Sequence, residues 1–147
     1  MSSLLVSTFP SCIFSDVHKA IKRARDAGCC IGVLSNFSFL LPVILEELGI
    51  ANLFDFIIHS AGVGFEKPHP QIFHVALETA DVAPYQAALI GDTYQEDIVG
   101  ASTLGMLGVL LDRSKNSNIR HTPTAWDLPQ AVELALNLSL IHISEPT

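Results

Sequence analysis

Segments with apolar residues at helical spacing alternate along this chain with short, uninterrupted apolar runs. Apolar residues that recur every three to four positions predict helices over 17–24, 43–48, 72–77, 95–104 and 128–137. Two of these helices have a regular apolar face, formed by Val17, Ala20, Ile21 and Ala24 in the first and by Ile72, Phe73, Ala76 and Leu77 in the third. Apolar runs too short for helices predict strands over 29–34, 54–59, 87–90 and 107–112. Pro70 suits a first helical position, and Gly28, Gly49 and Gly105 each follow a predicted helix as its stop.

The predicted strands lack the polar–apolar alternation of a sheet with one solvated face, and helices separate them. This pattern favours an α/β fold: a Rossmann-like, three-layer core in which helices cover both faces of a parallel sheet. A length of 147 residues fits a single domain, and we find no internal repeat or linker. Ligands of such sheets bind at the carboxyl ends of the strands, so chemistry is expected there.

Composition narrows the class of partner. With 49% hydrophobic and 16% charged residues, the chain is globular rather than disordered. A net charge of −7 without a Lys/Arg cluster argues against nucleic acid and anionic membranes. The longest apolar runs are too short to span a bilayer, and the N-terminus lacks the basic stretch of a signal peptide. An odd number of cysteines, with Cys29 beside Cys30, predicts a reduced, cytoplasmic protein; oligomeric state stays open.

Polar residues follow three of the predicted strands. Ser35 and Asn36 come after 29–34, Asp92 comes after 87–90, and Lys67 lies in the loop after 54–59. A hydroxyl, an ammonium group and carboxylates at one sheet edge suit a phosphoryl group and a hard cation such as Mg²⁺.

The segments VLSNF, KPHPQIF and GDTYQEDIVGA, in this order, resemble the second, third and fourth motifs of the haloacid dehalogenase superfamily of Mg²⁺-dependent phosphohydrolases. The resemblance implies a small phosphorylated substrate whose phosphoryl group is bound by Ser35, with Asn36 beside it. It implies that Lys67 steadies the nucleophile and the phosphoryl charge. Asp92 would ligate Mg²⁺, and Asp97 would do so directly or through water. Glu96, where many members carry Asn, adds negative charge near the metal.

One motif of the superfamily is absent from this sequence. The first motif, a D-x-D after an N-terminal strand, supplies the nucleophile and general acid, but no aspartate here has another two residues on. The resemblance therefore implies that the cap domain and the first, central strand are missing, which would leave an open seam in the sheet. The run SLLVST, 3–8, could serve as a makeshift strand within a poorly defined segment, 1–12. Loss of a nucleophile typically costs on the order of 10⁶ in rate, so we expect negligible hydrolysis.

The C-terminal segment LSLIHISEPT, 138–147, continues the helical pattern poorly and matches the translation of a transposase adaptor used in sequencing libraries. We therefore expect the native chain to end near Asn137 and residues 13–137 to form a partial core domain.

Other functions stay open. The chain could be a non-catalytic metal- or phosphate-binding remnant that acts through a partner, or a receiver-type signalling module. No G-x-G-x-x-G follows a strand, which argues against a dinucleotide site. His59, His69 and His74 invite a metal site, but their spacing and the prevalence of carboxylates disfavour it.

Overall fold

A parallel sheet forms the centre of the molecule. The computed structural model describes residues 3–6, 16–116, 118–119 and 121–144, with side chains described except at 4, 5 and 139–144. Within these ranges the sheet has six strands in the order β3-β2-β1-β4-β5-β6, and every neighbouring pair is parallel. The strands are β1 (Ser3–Val6), β2 (Cys30–Ser35), β3 (Phe56–His59), β4 (Ala87–Gly91), β5 (Leu107–Leu111) and β6 (Thr124–Ala125).

Helices connect the strands. They are α1 (Val17–Asp26), α2 (Leu41–Glu47), α3 (Ser60–Val63), α4 (Pro70–Ala80), α5 (Gly100–Thr103) and α6 (Leu128–Ser144). A π-helical segment, Tyr94–Val99, leads directly into α5, and single 3₁₀ turns occupy Ala51–Leu53 and Pro84–Gln86.

The core lies on both faces of the sheet, as the sequence predicts for a three-layer α/β fold. Successive residues of β4 point to opposite faces: Ala88 and Ile90 pack with α1, α2 and α6, whereas Ala87 and Leu89 pack with α4 and α5. The helical spacing identified the buried faces of two helices correctly. The predicted residues, all buried, are Val17, Ala20, Ile21 and Ala24 in α1 and Ile72, Phe73, Ala76 and Leu77 in α4.

The expectation of an empty central position in the sheet is wrong. β1 lies between β2 and β4, and Val6 is aligned with Val33 on one side and Ile90 on the other. The physical reason is that the hydrogen bonds between strands come from the backbone. A short apolar segment can therefore form the central strand even without the aspartates of the family's first motif. Val6 is fully buried there. Of the predicted strand 3–8 and segment 1–12, residues 1–2 and 7–12 lie outside the described residues.

In α2, which the sequence predicts over 43–48, the buried residues are Leu41 and Leu45, while Val43 is exposed. Two local predictions need correction. β6 follows β5 although 107–112 was predicted to be the last strand; two residues give no periodic signal. Helix α6 continues past Asn137 to Ser144, with nothing but helix-compatible residues before Pro146. Residues 145–147 lie outside the described residues.

None of the helices in the described part of the chain is both long enough and apolar enough to cross a bilayer.

Candidate active site

A buried ion pair lies at the carboxyl edge of the sheet. The Lys67 ammonium nitrogen is 2.6 Å from Asp97 Oδ1, and the two side chains are 4% and 1% exposed. Lys67 comes from the loop between α3 and α4, and Asp97 from the π-helical segment after β4. A charge pair this deeply buried is costly to separate, because either partner left alone would be an uncompensated charge. The pair therefore fixes the two elements relative to each other.

The backbone around Asp97 is shaped to receive its carboxylate. The Thr93 amide donates to Asp97 Oδ2 at 3.1 Å, and the Asp97 amide donates to the Thr93 carbonyl at 2.8 Å. A Cβ at Gly91 would lie 2.3 Å from Asp97 Oδ2, so only a glycine leaves room for this carboxylate at the end of β4. π-helical turns are rare and often occur at functional sites. Here such a turn carries the residue that binds Lys67.

Asn36 binds the backbone of Lys67 on both sides of the residue. Its Oδ1 accepts a hydrogen bond from the Lys67 amide at 2.7 Å, and its Nδ2 donates to the Lys67 carbonyl at 3.1 Å. The peptide bond between Lys67 and Pro68 is cis. The family resemblance implies that Asn36 lies beside the phosphoryl group. In the structure its side-chain amide contacts the backbone of Lys67.

Asp92 is the exposed member of the group. It directly follows β4, and its Oδ1 accepts a hydrogen bond from the Thr93 hydroxyl at 3.3 Å. Partial burial of the carboxyl group, and then the negative charge of Asp97, raise the pKa of Asp92, although Lys67 opposes the shift. Two carboxylates and one ammonium group leave an excess negative charge that favours a cation.

Ser35 occupies the last position of β2 and is buried, aligned with His59 of β3. Strand β1 separates β2 from β4, which puts the strand ends carrying Ser35 and Asp92 about 10 Å apart across the edge. Asn36, Lys67, Asp97 and Asp92 thus form one connected group, and Ser35 lies at the same edge on the neighbouring side of β1.

Two of the three histidines that invited a metal site serve as helix caps. His59 Nδ1 accepts a hydrogen bond from the Gly62 amide at 3.0 Å, and His69 Nδ1 accepts one from the Gln71 amide at 3.0 Å. His74 is exposed on α4. Within the ranges that the structure describes, no three His, Cys, Asp or Glu side chains gather into a group able to hold a metal.

The donor set nevertheless fits a hard divalent cation in part. Asp92 presents a carboxylate to solvent, and such cations prefer oxygen ligands. Both oxygens of Asp97 already accept hydrogen bonds, so this residue fits contact with a cation through water better than direct ligation. Glu96, half-buried beside Asp97, adds a further negative charge.

Sequence comparison decides the family. The profile described as haloacid dehalogenase-like hydrolase matches residues 6–105, more than half of the chain. The chain belongs to the haloacid dehalogenase-like hydrolase family. The predicted family is thereby confirmed, and the receiver-type alternative is set aside.

Two relatives and one solved structure show how the chain compares within the haloacid dehalogenase-like family. Mouse haloacid dehalogenase-like hydrolase domain-containing protein 3 is 36% identical over 143 residues, which is 95% of this chain and 57% of the mouse protein. The phosphoserine phosphatase of Thermus thermophilus is 32% identical over 105 residues, 69% of this chain and 41% of that enzyme. A haloacid dehalogenase-like phosphatase structure from Thermococcus onnurineus superposes with a TM-score of 0.79 at 24% identity, covering 83% of this chain and 57% of that one. This chain therefore spans about half the length of these relatives.

Sequence reasoning missed two residues that shape the group. Gly91 was seen only as the start of an acidic motif, although an isolated glycine at a strand end is a signal of close approach by another atom. Thr93 gave no signal, because its contribution is a backbone amide that any residue would provide.

Proposed function

We propose that this chain is the core part of a Mg²⁺-dependent phosphohydrolase that acts on a small phosphorylated substrate. The observation that carries the proposal is the buried Lys67–Asp97 pair beside the exposed Asp92, at the edge of the sheet where ligands of parallel folds bind. The phosphatase among the relatives supports the substrate class.

Each residue has a role in this proposal that suits its surroundings. Asp92 ligates Mg²⁺, and Asp97 holds Lys67 and contacts the metal through water. Lys67 places its positive charge near the non-bridging oxygens of the phosphoryl group, and the Ser35 hydroxyl donates to one of them. Bound Mg²⁺ would neutralise negative charge on the phosphoryl group.

The reaction needs a nucleophile that we do not find in these 147 residues. No aspartate in the sequence stands two residues before another, so we propose that this chain by itself hydrolyses phosphate esters negligibly. The alternative of a metal- or phosphate-binding role without turnover gains support from one observation. The Lys67–Asp97 pair and Asp92 are assembled from residues that this chain already has.

Magnesium binding tests the proposal. Asp92→Asn should raise the Mg²⁺ dissociation constant of the 147-residue chain at least about tenfold, because a carboxylate ligand becomes a neutral amide. Asp81→Asn is the matched control: Asp81 follows α4 at the opposite edge of the sheet, with a positive φ of 55° that asparagine also tolerates. Isothermal titration calorimetry measures both. Equal affinities for Mg²⁺ in Asp92→Asn and the parent chain would remove Asp92 from the metal site.

A further inference from the structure

We propose that Asn36 is a positioning residue for Lys67 rather than a group that touches the substrate. The inference rests on the proposed role of Lys67 at the site. It concerns how the Lys67 ammonium group is brought to Asp97 and kept there.

The first observation is the two-point contact of Asn36 with Lys67. One side-chain amide pairs with both the N–H and the C=O of the same residue, at 2.7 and 3.1 Å. Two hydrogen bonds to one residue fix the direction of its backbone, and with it the direction in which the Lys67 side chain leaves. The two bonds use one N–H and one oxygen lone pair of the amide, and they hold the Asn36 side chain against the Lys67 backbone.

The second observation is a similar contact one residue further along the chain. The Ser60 hydroxyl accepts a hydrogen bond from the Phe37 amide at 3.0 Å and donates to the Phe37 carbonyl at 3.2 Å. The Ala61 amide also donates to the Phe37 carbonyl at 3.1 Å. The loop after β2 is thus attached to the start of α3 by Ser60 and to the Lys67 loop by Asn36.

These contacts join both loops to the buried ion pair. Ser60 holds the segment that contains Asn36, Asn36 holds the backbone of Lys67, and Lys67 binds Asp97 on the far side of β1. Loops are otherwise the most mobile parts of such a fold. A lysine with several rotatable bonds reaches one buried carboxylate reproducibly only if its backbone is fixed, and Asn36 does this.

The test measures how often Lys67 leaves its partner. Acetylation of lysines by an amine-reactive ester, followed by peptide mass spectrometry, reports each lysine separately. The labelling rate of Lys67 is compared with that of Lys22, whose side chain is 77% exposed. Asn36→Ala should raise the ratio of Lys67 to Lys22 labelling about tenfold, the factor expected from the loss of two ordinary hydrogen bonds. Asp97→Asn, which breaks the ion pair directly, sets the upper limit of the effect.

Two further variants make the test specific. Asn52→Ala removes an exposed asparagine from the turn Ala51–Leu53 and should leave the ratio unchanged. Asn36→Asp keeps an oxygen that accepts from the Lys67 amide but loses the donor to its carbonyl, and should give an intermediate ratio. It also covers the case in which Asn36→Ala does not fold.

The inference is overturned if Asn36→Ala and Asn36→Asp leave the labelling ratio at its parent value. It is also overturned if the buried Cys29 thiol becomes reactive toward a thiol reagent together with Lys67, since a general loosening would make Asn36 merely structural. The labelling requires neither Mg²⁺ nor turnover. A failed Mg²⁺ experiment would therefore refute the proposed function and leave the positioning role of Asn36 to be decided separately.

Discussion

At the scale of single residues, the site combines two buried, paired charges with one carboxylate that the fold disfavours. Lys67 and Asp97 are buried and paired, whereas Asp92 carries a charge that its surroundings disfavour. Perturbed carboxyl groups of this kind concentrate at functional sites. The opposite case occurs at Asp55, whose partial burial is outweighed by hydrogen bonds from the Ile31 amide and from Arg25, so that its pKa is lowered.

The pH dependence of stability should distinguish these two carboxyl groups. Because the pKa of Asp92 is raised by folding, its ionisation costs stability above its folded pKa and costs nothing well below the unfolded value. Asp92→Asn should therefore melt about 1–3 °C higher than the parent chain at pH 7, and the gain should vanish below about pH 4.

Asp55→Asn should show the reverse sign. A lowered pKa contributes stability above the unfolded value, and this contribution is lost as pH falls through the folded value. This variant should melt lower than the parent at pH 7, with the deficit shrinking in acid. Calorimetric melts between pH 3 and 7 measure both variants. A lower melting temperature for Asp92→Asn at pH 7 would show that its carboxylate is stabilised by the fold.

At the scale of elements, β1 decides whether the sheet is continuous. It is only four residues long, yet it supplies the ladder partners of both β2 and β4. The family resemblance alone implied an open seam with exposed apolar surface. With the seam filled, we expect a cooperative melt without binding of a hydrophobic dye.

Two valine substitutions test the contribution of β1. Val6→Ala removes buried methyl groups between β2 and β4 and should lower the free energy of unfolding by about 1–3 kcal/mol. Val43→Ala is the matched control, because Val43 is 51% exposed on α2 and the same change should stay within about 0.5 kcal/mol. Denaturant unfolding measures both. Equal effects of the two substitutions would mean that β1 does not hold the centre of the sheet in solution.

Most of the helices and strands could be predicted from the sequence. Those that could not be predicted have physical reasons for it. The buried residues of helices α1 and α4 were predicted correctly, because each helix presents one regular apolar face to the sheet. The sequence could not assign the buried face of α2, because exposed Val43 is as apolar as buried Leu45. The strand formed by residues 3–6 was predicted only as a possible strand over 3–8. Strands pair through backbone groups, so the side chains of a four-residue segment give little signal of the pairing.

At the scale of the whole molecule, the fold brings residues from distant parts of the chain to one edge of the sheet. Motif order predicted that Ser35, Lys67 and Asp92 belong to that edge. It did not predict that Asn36 binds the backbone of Lys67. Both hydrogen bonds end on the N–H and C=O groups of the main chain, which do not depend on residue type. The chain covers 57% of the length of its mouse relative.

We propose above that Asp92, supported by the Lys67–Asp97 pair, holds a divalent cation at this edge of the sheet. The most direct measurement is an anomalous difference map from crystals of the chain grown with Mn²⁺ in place of Mg²⁺. We expect a peak within about 2.5 Å of an Asp92 carboxylate oxygen, with the Lys67 ammonium group still bound to Asp97. A map with no peak at Asp92, or with the ion bound only elsewhere, would show that Asp92 does not hold the cation.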